Sequence, residues 1–224
     1  MTALEEFAPT QVAIGLAPEE LHALQQHFSD PYVEPWVPLA SSELAYARGI
    51  ARFGAVRVPS PAFLGAIRWA AVHGVALHGV EPPDETYSEL FVEHVGYFEL
   101  LRRTLSERSL QRNPPLAEDS ETFALAWEAR SGTGAGSRRL GAARVGHARS
   151  RLREVHQAPP LAAPGTGGAS LMNRVALLVD VERFPGLLKE LAQEPGSDLR
   201  EAPRASEPLP TRATPRPEGD KGRP

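Results

Sequence analysis

The chain has 224 residues, of which 42% are hydrophobic, and its formal net charge is −4. This hydrophobic content excludes a fully disordered chain, and the small negative charge excludes an overall basic field for nucleic-acid binding. The sequence has no cysteine, which excludes disulfides, thiolate metal sites and cysteine nucleophiles. Because it shows no signal-peptide pattern and no apolar run of about 18 residues, we expect a cytoplasmic protein with no membrane partner.

The first elements are a strand and a helix. Residues 11–16 form a short apolar run that leads into Pro18, and proline in a first helical turn favours a helix over 19–28. The proline-punctuated stretch 31–38 is predicted to be a connector. A helix is expected over 41–52.

The clearest unit begins with a predicted strand over 55–58. Ser60 and Pro61 have the order of an N-cap followed by proline at the first helical position. The helix is expected to end at Gly74, since glycine readily adopts the left-handed conformation that closes helices. The third predicted strand, over 75–80, should follow immediately.

A long helix is predicted to start at Asp84, because apolar residues recur beyond it at steps of three and four. The stripe consists of Tyr87, Leu90, Phe91, Phe98, Leu101 and Leu105. A further helix is expected over 121–130, with Ser120 as its N-cap.

The composition changes over 131–170, where glycine, alanine and proline dominate and large apolar residues are sparse. The basic residues of this segment include Arg138, Arg139, Arg144, Arg149, Arg151 and Arg153. The composition predicts a flexible, low-complexity insertion, and a frameshift product of a GC-rich gene would look the same. Arginines can also bind nucleic-acid phosphates, but no aromatic residue is interleaved to stack on bases, so nucleic acid is not an expected partner.

A continuous apolar run over 175–179 predicts that 174–180 forms a strand buried on both faces, followed by a helix over 185–194. Strands that alternate with helices favour parallel pairing with right-handed crossovers. The predicted fold class is therefore α/β, a Rossmann-like layered domain with a mostly parallel sheet plus disordered segments. The predicted organisation is 1–130 as the main part of the domain, 131–170 as the insertion, 171–194 as the closing strand and helix, and 195–224 as a disordered tail with seven prolines.

In an open parallel sheet, ligands bind beyond the carboxyl ends of the strands. The carboxylates predicted there are Glu81, after the third strand, and Asp180 and Glu182, after the last. They could share a divalent cation, or one could act as a general base, but surface acids that cap helices have the same appearance. No Gly-rich phosphate loop, Gly-x-Ser-x-Gly elbow or histidine pair at helical metal spacing occurs, so no cofactor is expected.

Three segments follow the pattern of a known family. Residues 12–18, Val-Ala-Ile-Gly-Leu-Ala-Pro, match a Val-x-Val-Glu-Leu strand end, and residues 66–77 match a helix entering a Gly-Ala-x-Val strand, with Thr104-Leu105 farther on. Residues 179–187 end in Phe-Pro-Gly-Leu and match a closing Val-Gly-x-x-His-x-x-Gly-Ile. Together they resemble the TraB pheromone-shutdown family, which is similar to the Tiki and erythromycin-esterase/ChaN-like group. The resemblance implies an α/β scaffold with hydrolase or metalloprotease activity in some relatives.

The chain departs from this family at its polar positions. The family's first Gly-x-x-His strand is missing, Gly15 stands where the family has glutamate, and Ala62 stands near its second acid. Glu81-Pro82 replaces an Asp-Arg pair, and Arg183 replaces the closing histidine. With these groups replaced, the resemblance implies no acid, base or ligand set.

The sequence therefore predicts a catalytically silent TraB-like domain that binds an unidentified protein or small ligand, with no catalytic residue or metal assigned. Glu81, Asp180 and Glu182 are the candidate binding residues. The alternative is a metal-dependent hydrolase that uses these three carboxylates at the strand ends. The missing first strand leaves an open sheet edge, which predicts either a homodimer or poor solubility.

Overall fold

The computed structural model describes residues 2–29, 41–131, 134–158, 173–180 and 184–192. The strands are β1 (Gln11–Ile14), β2 (Ala76–Gly79) and β3 (Val175–Leu178). The helices are α1 (Thr2–Phe7), α2 (Pro18–Ser29), α3 (Ser41–Ile50), α4 (Pro61–His73), α5 (Asp84–His94), α6 (Tyr97–Arg112), α7 (Ser120–Ser131), α8 (Ala135–Gln157) and α9 (Phe184–Ala192). A short 3-10 helix, Ala51–Phe53, follows α3.

The strands form one parallel sheet in the order β2-β1-β3. Gln11 of the central strand lies opposite Ala76 of β2 and Val175 of β3. Helices join these parallel strands, which confirms the α/β class. The predicted strand over 55–58 is wrong, because residues 55–58 do not pair with any strand in the described part of the chain. A β-prone run forms a strand only where a neighbouring strand can pair with it.

Helices cover both faces of β1, all four residues of which are buried. Val12 and Ile14 belong to one hydrophobic cluster, and Ala13 belongs to another, because successive side chains of a strand point to opposite faces. The first cluster is completed from α2 and α4 by Leu21, Leu24, Phe63, Ala66, Ile67, Trp69 and Ala70. The second is completed by Val80 after β2 and, from α8 and α9, by Ala148, Leu152 and Leu187.

Helix α4 confirms the sequence prediction at both of its ends. Ser60 occupies the N-cap position and Pro61 the first helical position, although the Ser60 hydroxyl makes no capping bond. Gly74 follows the last turn with φ of 66°, in the left-handed region that glycine tolerates. The chain then enters β2 directly.

The long helix predicted from Asp84 breaks into α5 and α6. Val95 is buried and extended, with φ of −107° and ψ of 100°, and Gly96 precedes the first turn of α6. The break redirects α6, so that the predicted stripe residues Phe98, Leu101 and Leu105 lie on the surface. The prediction of a single amphipathic helix is therefore wrong. Burial of Val95 at the break favours an extended backbone over the helix that the local periodicity predicts.

A second core lies among α3, α6, α7 and the 3-10 helix. It is built from Leu110, Phe123 and Trp127, packed against Tyr46 and Phe53. The α7 helix is capped by Asp119 rather than by Ser120, because the Asp119 carboxylate accepts the backbone N–H of Thr122 at 2.7 Å. In chain order, α3 lies between β1 and β2, and α6 and α7 lie between β2 and β3.

The predicted insertion over 131–170 is wrong for residues 135–157, which form the 23-residue helix α8. Its buried residues, Leu140, Ala148, Leu152 and Val155, recur at helical spacing along one face. Alanine and arginine are strong helix formers. A segment rich in these residues therefore forms a helix where one of its faces can be buried. Residues 159–170 and the predicted tail, 195–224, lie outside the described residues.

A buried polar network joins α8 to the amino end of the sheet. The Gln11 side chain is 2% exposed, and its Nε2 donates to the Val155 carbonyl at 2.8 Å and to Asn173 Oδ1 at 2.9 Å. Its Oε1 lies 2.8 Å from His78 Nε2. Asn173 Nδ2 donates to the Ala158 carbonyl at 3.0 Å. The network satisfies carbonyls at the end of α8 that have no partner within the helix.

We predict opposite effects for two alanine substitutions in α8. A Cβ at Gly136 would lie 2.1 Å from the His94 carbonyl oxygen, whereas a Cβ at Gly141 would meet nothing within 4 Å. Gly136→Ala should therefore lower the free energy of unfolding by roughly 2 kcal/mol or more. Gly141→Ala, the matched control, should raise it by about 0.5–1 kcal/mol through helix propensity. Urea denaturation measures both, and two neutral effects would contradict the helix and its docking.

We also predict a loss of stability on acidification that involves His78. Burial, with a smaller contribution from the charge of Arg151, lowers the pKa of His78 below the ordinary histidine value. The unfolded chain then binds more protons below about pH 6.5, so stability is present above that pH and is lost as pH falls through the folded pKa. The slope from this one group can reach at most about 1.4 kcal/mol per pH unit.

Urea titrations between pH 7.5 and 5.5 measure the effect, with His78→Gln as the comparison. Glutamine retains a donor for Gln11 but does not titrate, so its stability should fall less with decreasing pH. Equal slopes for the two proteins would show that His78 is not responsible.

Candidate functional site

Glu81 lies at the carboxyl end of the sheet, immediately beyond β2. The hydrogen bonding of β2 to the central strand continues past its last residue. The Val80 N–H donates to the Ile14 carbonyl at 3.0 Å, and the Glu81 N–H donates to the Leu16 carbonyl at 3.1 Å. Glu81 is thus fixed by its backbone at the edge where ligands of open parallel sheets bind.

The Glu81 carboxylate forms an ion pair with Arg144 of α8. Arg144 donates from Nη2 at 2.8 Å and from Nε at 3.1 Å, both to Glu81 Oε2. Glu81 is 8% exposed, whereas the Arg144 side chain is 26% exposed, so the carboxylate is buried and the guanidinium is only partly removed from water. The Arg144 guanidinium carbon also lies 5.3 Å from the centre of the Tyr87 ring, within the range of a cation–π interaction. The buried negative charge is therefore balanced by the protein's own cation.

The other two candidate carboxylates are not brought to Glu81 by the described structure. Asp180 is half-buried and follows β3, which lies on the opposite side of β1 from β2. The two edge strands are about 10 Å apart, since neighbouring strands are separated by 4.7–4.9 Å. Glu182 lies outside the described residues. Within the ranges that are described, no three histidine, aspartate or glutamate side chains could hold a metal ion.

The end of β1 between these two carboxylates is tightly packed. A Cβ at Gly15 would lie 3.1 Å from Val179 Cγ1 and 3.3 Å from Val179 Cα. On the other side, a Cβ at Gly79 would lie 2.8 Å from the Leu16 carbonyl oxygen. A larger side chain at position 15 would therefore require Val179 to shift by a few tenths of an ångström.

One cavity lies away from the sheet, between α6 and α7. Its volume is about 280 Å³, and it is lined by Ser106, Ser109, Leu110, Asn113 and Arg130. The Ser106 hydroxyl donates to the Arg130 carbonyl at 3.3 Å, and Arg130 Nη1 donates to the Asn113 carbonyl at 3.4 Å. These polar groups bind one another rather than converge on a common point.

At least three of the six arginines of α8 form ion pairs with glutamates. Besides Arg144, Arg149 donates to Glu190 at 2.6 Å and Arg151 pairs with Glu154. These glutamates balance half of the positive charge that the helix would offer to a phosphate backbone. The role of Arg144 was missed because the segment was interpreted by composition. The helical spacing of Leu140, Ala148, Leu152 and Val155 was the signal that could have revealed it.

Comparison with known proteins gives no assignment of the chain. No family model, curated protein or solved structure matches it. Among the helices described, none combines the length and apolar character that crossing a membrane requires. The resemblance to the TraB family therefore stays a prediction from the quoted motifs, and function has to be argued from the geometry.

We predict that Glu81 and Arg144 depend on each other. Glu81→Gln or Arg144→Met should each lower the free energy of unfolding by about 2 kcal/mol, because each removes the charge-assisted hydrogen bonds between Arg144 and a carboxylate that is 8% exposed. The double variant should lose less than the sum of the single losses, by at least about 1 kcal/mol. Urea denaturation of the four proteins measures this coupling.

The matched control is Glu154→Gln, which removes a carboxylate from an exposed pair on the same helix. That variant should change stability by no more than about 0.5 kcal/mol. Strictly additive losses at Glu81 and Arg144 would show that the ion pair does not hold α8 to the sheet end.

Proposed function

We propose that this chain is a catalytically silent, TraB-like α/β domain that acts by binding a partner protein or a small ligand. The observation that carries the proposal is the pair of hydrogen bonds from Arg144 to one oxygen of the Glu81 carboxylate. Glu81 is the buried carboxylate at the sheet end, which makes it the strongest candidate for chemistry. Its engagement by arginine supports a structural role.

A general base has to present a lone pair to a substrate proton, and a ligand for a hard cation has to present oxygens that are not neutralised. Glu81 Oε2 already accepts two bonds from a guanidinium. The packing of Gly15 against Val179 and of Gly79 against Leu16 supports the same conclusion, since it fills the space beyond the central strand. Close packing at this edge supports a domain without catalytic activity.

The finer description of the fold is also a proposal. Helices on both faces of β1 support a Rossmann-like layered domain, in which β1 is the central strand. The motifs over 12–18, 66–77 and 179–187 support a TraB-like scaffold with its polar positions replaced. We place the protein in the cytoplasm, as the sequence suggests.

A second copy of the chain is one partner that this scaffold could bind. β2 and β3 are the outer strands of the sheet, and an outer strand has unpaired backbone groups along one side. Each strand is four residues long, which limits how much a strand-to-strand contact could contribute. The homodimer therefore stays a prediction, which sedimentation velocity tests directly.

The competing reading, a metal-dependent hydrolase, needs Glu81, Asp180 and Glu182 to meet at one cation. We expect that elemental analysis of the purified protein will find no stoichiometric divalent metal, and that EDTA will leave its Tm unchanged. We also expect no hydrolysis of 4-nitrophenyl acetate or 4-nitrophenyl phosphate above the rate in buffer, with or without added Mn²⁺ or Zn²⁺.

Asp180→Asn serves as a companion to the Glu81→Gln variant, because it removes a charge at the sheet end while leaving the Arg144 pair intact. Hydrolytic turnover that disappears in a folded Asp180→Asn or Glu81→Gln protein would overturn the proposal. Turnover that both variants retain and that co-purifies with the protein would also overturn the proposal, whereas turnover that separates from the protein would identify a contaminant.

A further inference from the structure

The outward face of α6 exposes large apolar side chains to water. Tyr97 is 76% exposed, Phe98 84%, Leu101 51% and Leu105 57%. At 100° per residue, these four positions fall within one arc of about 100° on the helix. The opposite side of α6 faces α3 and α7 and contributes Leu110 to their core. The exposed arc, which we call the α6 face, thus presents a continuous stripe of aromatic and leucine side chains.

The α6 face is also basic toward its C-terminal end. Arg108 and Arg112 are exposed and lie in the same arc as the apolar stripe, and exposed Arg102 lies beside it. None of these three arginines makes an ion pair with a residue that the structure describes. The apolar stripe and the cationic end together form an amphipathic surface.

The acidic residues of α6 are directed elsewhere. The Glu99 carboxylate accepts the backbone N–H groups of Gly136 and Ser137 at the start of α8, at 2.8 and 2.6 Å. Glu107 accepts a hydrogen bond from Arg103 Nε at 3.1 Å. The α6 face therefore carries positive charge that its own helix does not balance.

We propose that the α6 face is a contact site for an anionic lipid surface. Helices that lie in the membrane interface combine a stripe of phenylalanine and leucine with arginine or lysine, and they insert only the depth of their side chains. Tyrosine is favoured at this depth, since its ring is apolar and its hydroxyl stays hydrated. Arginines at the same level meet the lipid phosphates and carboxylates.

Charge and shape favour lipid over other occupants. A symmetric contact between two α6 faces would bring the same arginines together, and the acidic residues of α6, Glu99 and Glu107, lie outside that arc. A partner helix or peptide normally docks into a groove. The four apolar side chains protrude, and none of them lines the cavity between α6 and α7 or the small cavity at the start of α8.

This inference goes beyond the proposed function, because the α6 face shares no residue with the sheet end around Glu81. It describes reversible attachment of a folded domain, with α6 lying parallel to the lipid surface. A stripe of four apolar side chains and three arginines gives weak binding that needs both contributions together.

Vesicle co-sedimentation of the full chain tests the proposal. We expect binding to vesicles of phosphatidylcholine with about 30% phosphatidylserine, and binding at least about tenfold weaker to phosphatidylcholine alone. Raising the salt to about 0.5 M should release the protein, since that concentration screens the arginines. Phe98→Ser with Leu101→Ser should weaken binding at least about tenfold at low salt.

Two comparisons separate the α6 face from the rest of the surface. Val72 on α4 is 80% exposed, so Val72→Ser removes an equally exposed apolar side chain and should leave binding unchanged. Arg108→Gln with Arg112→Gln should reduce binding to the anionic vesicles only. Circular dichroism checks that the variants are folded, which we expect because the altered side chains lie on the surface.

Binding of the wild-type chain that is equal on neutral and anionic vesicles, or unaffected by the Phe98 and Leu101 changes, would overturn the proposal. Absence of any vesicle binding would overturn it as well. If the same double change instead converts a dimer to a monomer in sedimentation, the α6 face binds a second copy. A synthetic amphipathic helix with leucine on one face and glutamate beside it provides a further comparison. If this peptide binds the α6 face and vesicles do not, the partner is an acidic protein segment.

Discussion

The buried amide of Gln11 is the constraint on which the rest of the fold depends. Gln11 is a polar residue in a central strand with neighbours on both sides, and each unsatisfied polar group there would cost about 1–3 kcal/mol. Its hydrogen bonds to the Val155 carbonyl, Asn173 and His78 join α8, the start of β3 and β2 at one point. The C-terminal end of α8 is thereby fixed at the amino end of the sheet.

That anchor decides what happens at the opposite end of the sheet. Arg144 precedes Val155 by eleven residues, or about three helical turns, so both side chains lie on one side of α8 about 16 Å apart. Because α8 packs along the sheet through Ala148 and Leu152, Arg144 arrives at Glu81 beyond β2. The same helix thus satisfies a buried amide at one end and neutralises a buried carboxylate at the other. An internal ion pair therefore occupies the carboxyl end of the sheet.

The α6 helix exposes most of its apolar side chains to water. The extended Val95, followed by Gly96 as the residue before α6, turns the apolar stripe away from the second core, and Leu110 is the one residue of α6 that is buried there. Glu99 holds the N-terminus of α8 and so removes the main acidic side chain from the outer surface of α6. The sheet domain and the surface of α6 are therefore linked through α8, although they offer chemistry of different kinds.

Local signals determined much of this fold from the sequence alone. The apolar runs of β1 and β3, the proline and glycine that bound α4, and the carboxylate position after β2 all depend on residues within a few positions of one another. The sequence did not disclose that 55–58 lacks a strand partner, that 135–157 folds as α8, or that Glu81 pairs with a residue 63 positions away. Composition masked the helical period of α8, and a partner at that separation is chosen by packing. The sequence by itself determined where the short-range turns, caps and strands form. Only the tertiary structure decided which charges meet and which apolar faces stay in water, because those outcomes depend on how helices dock across the sheet.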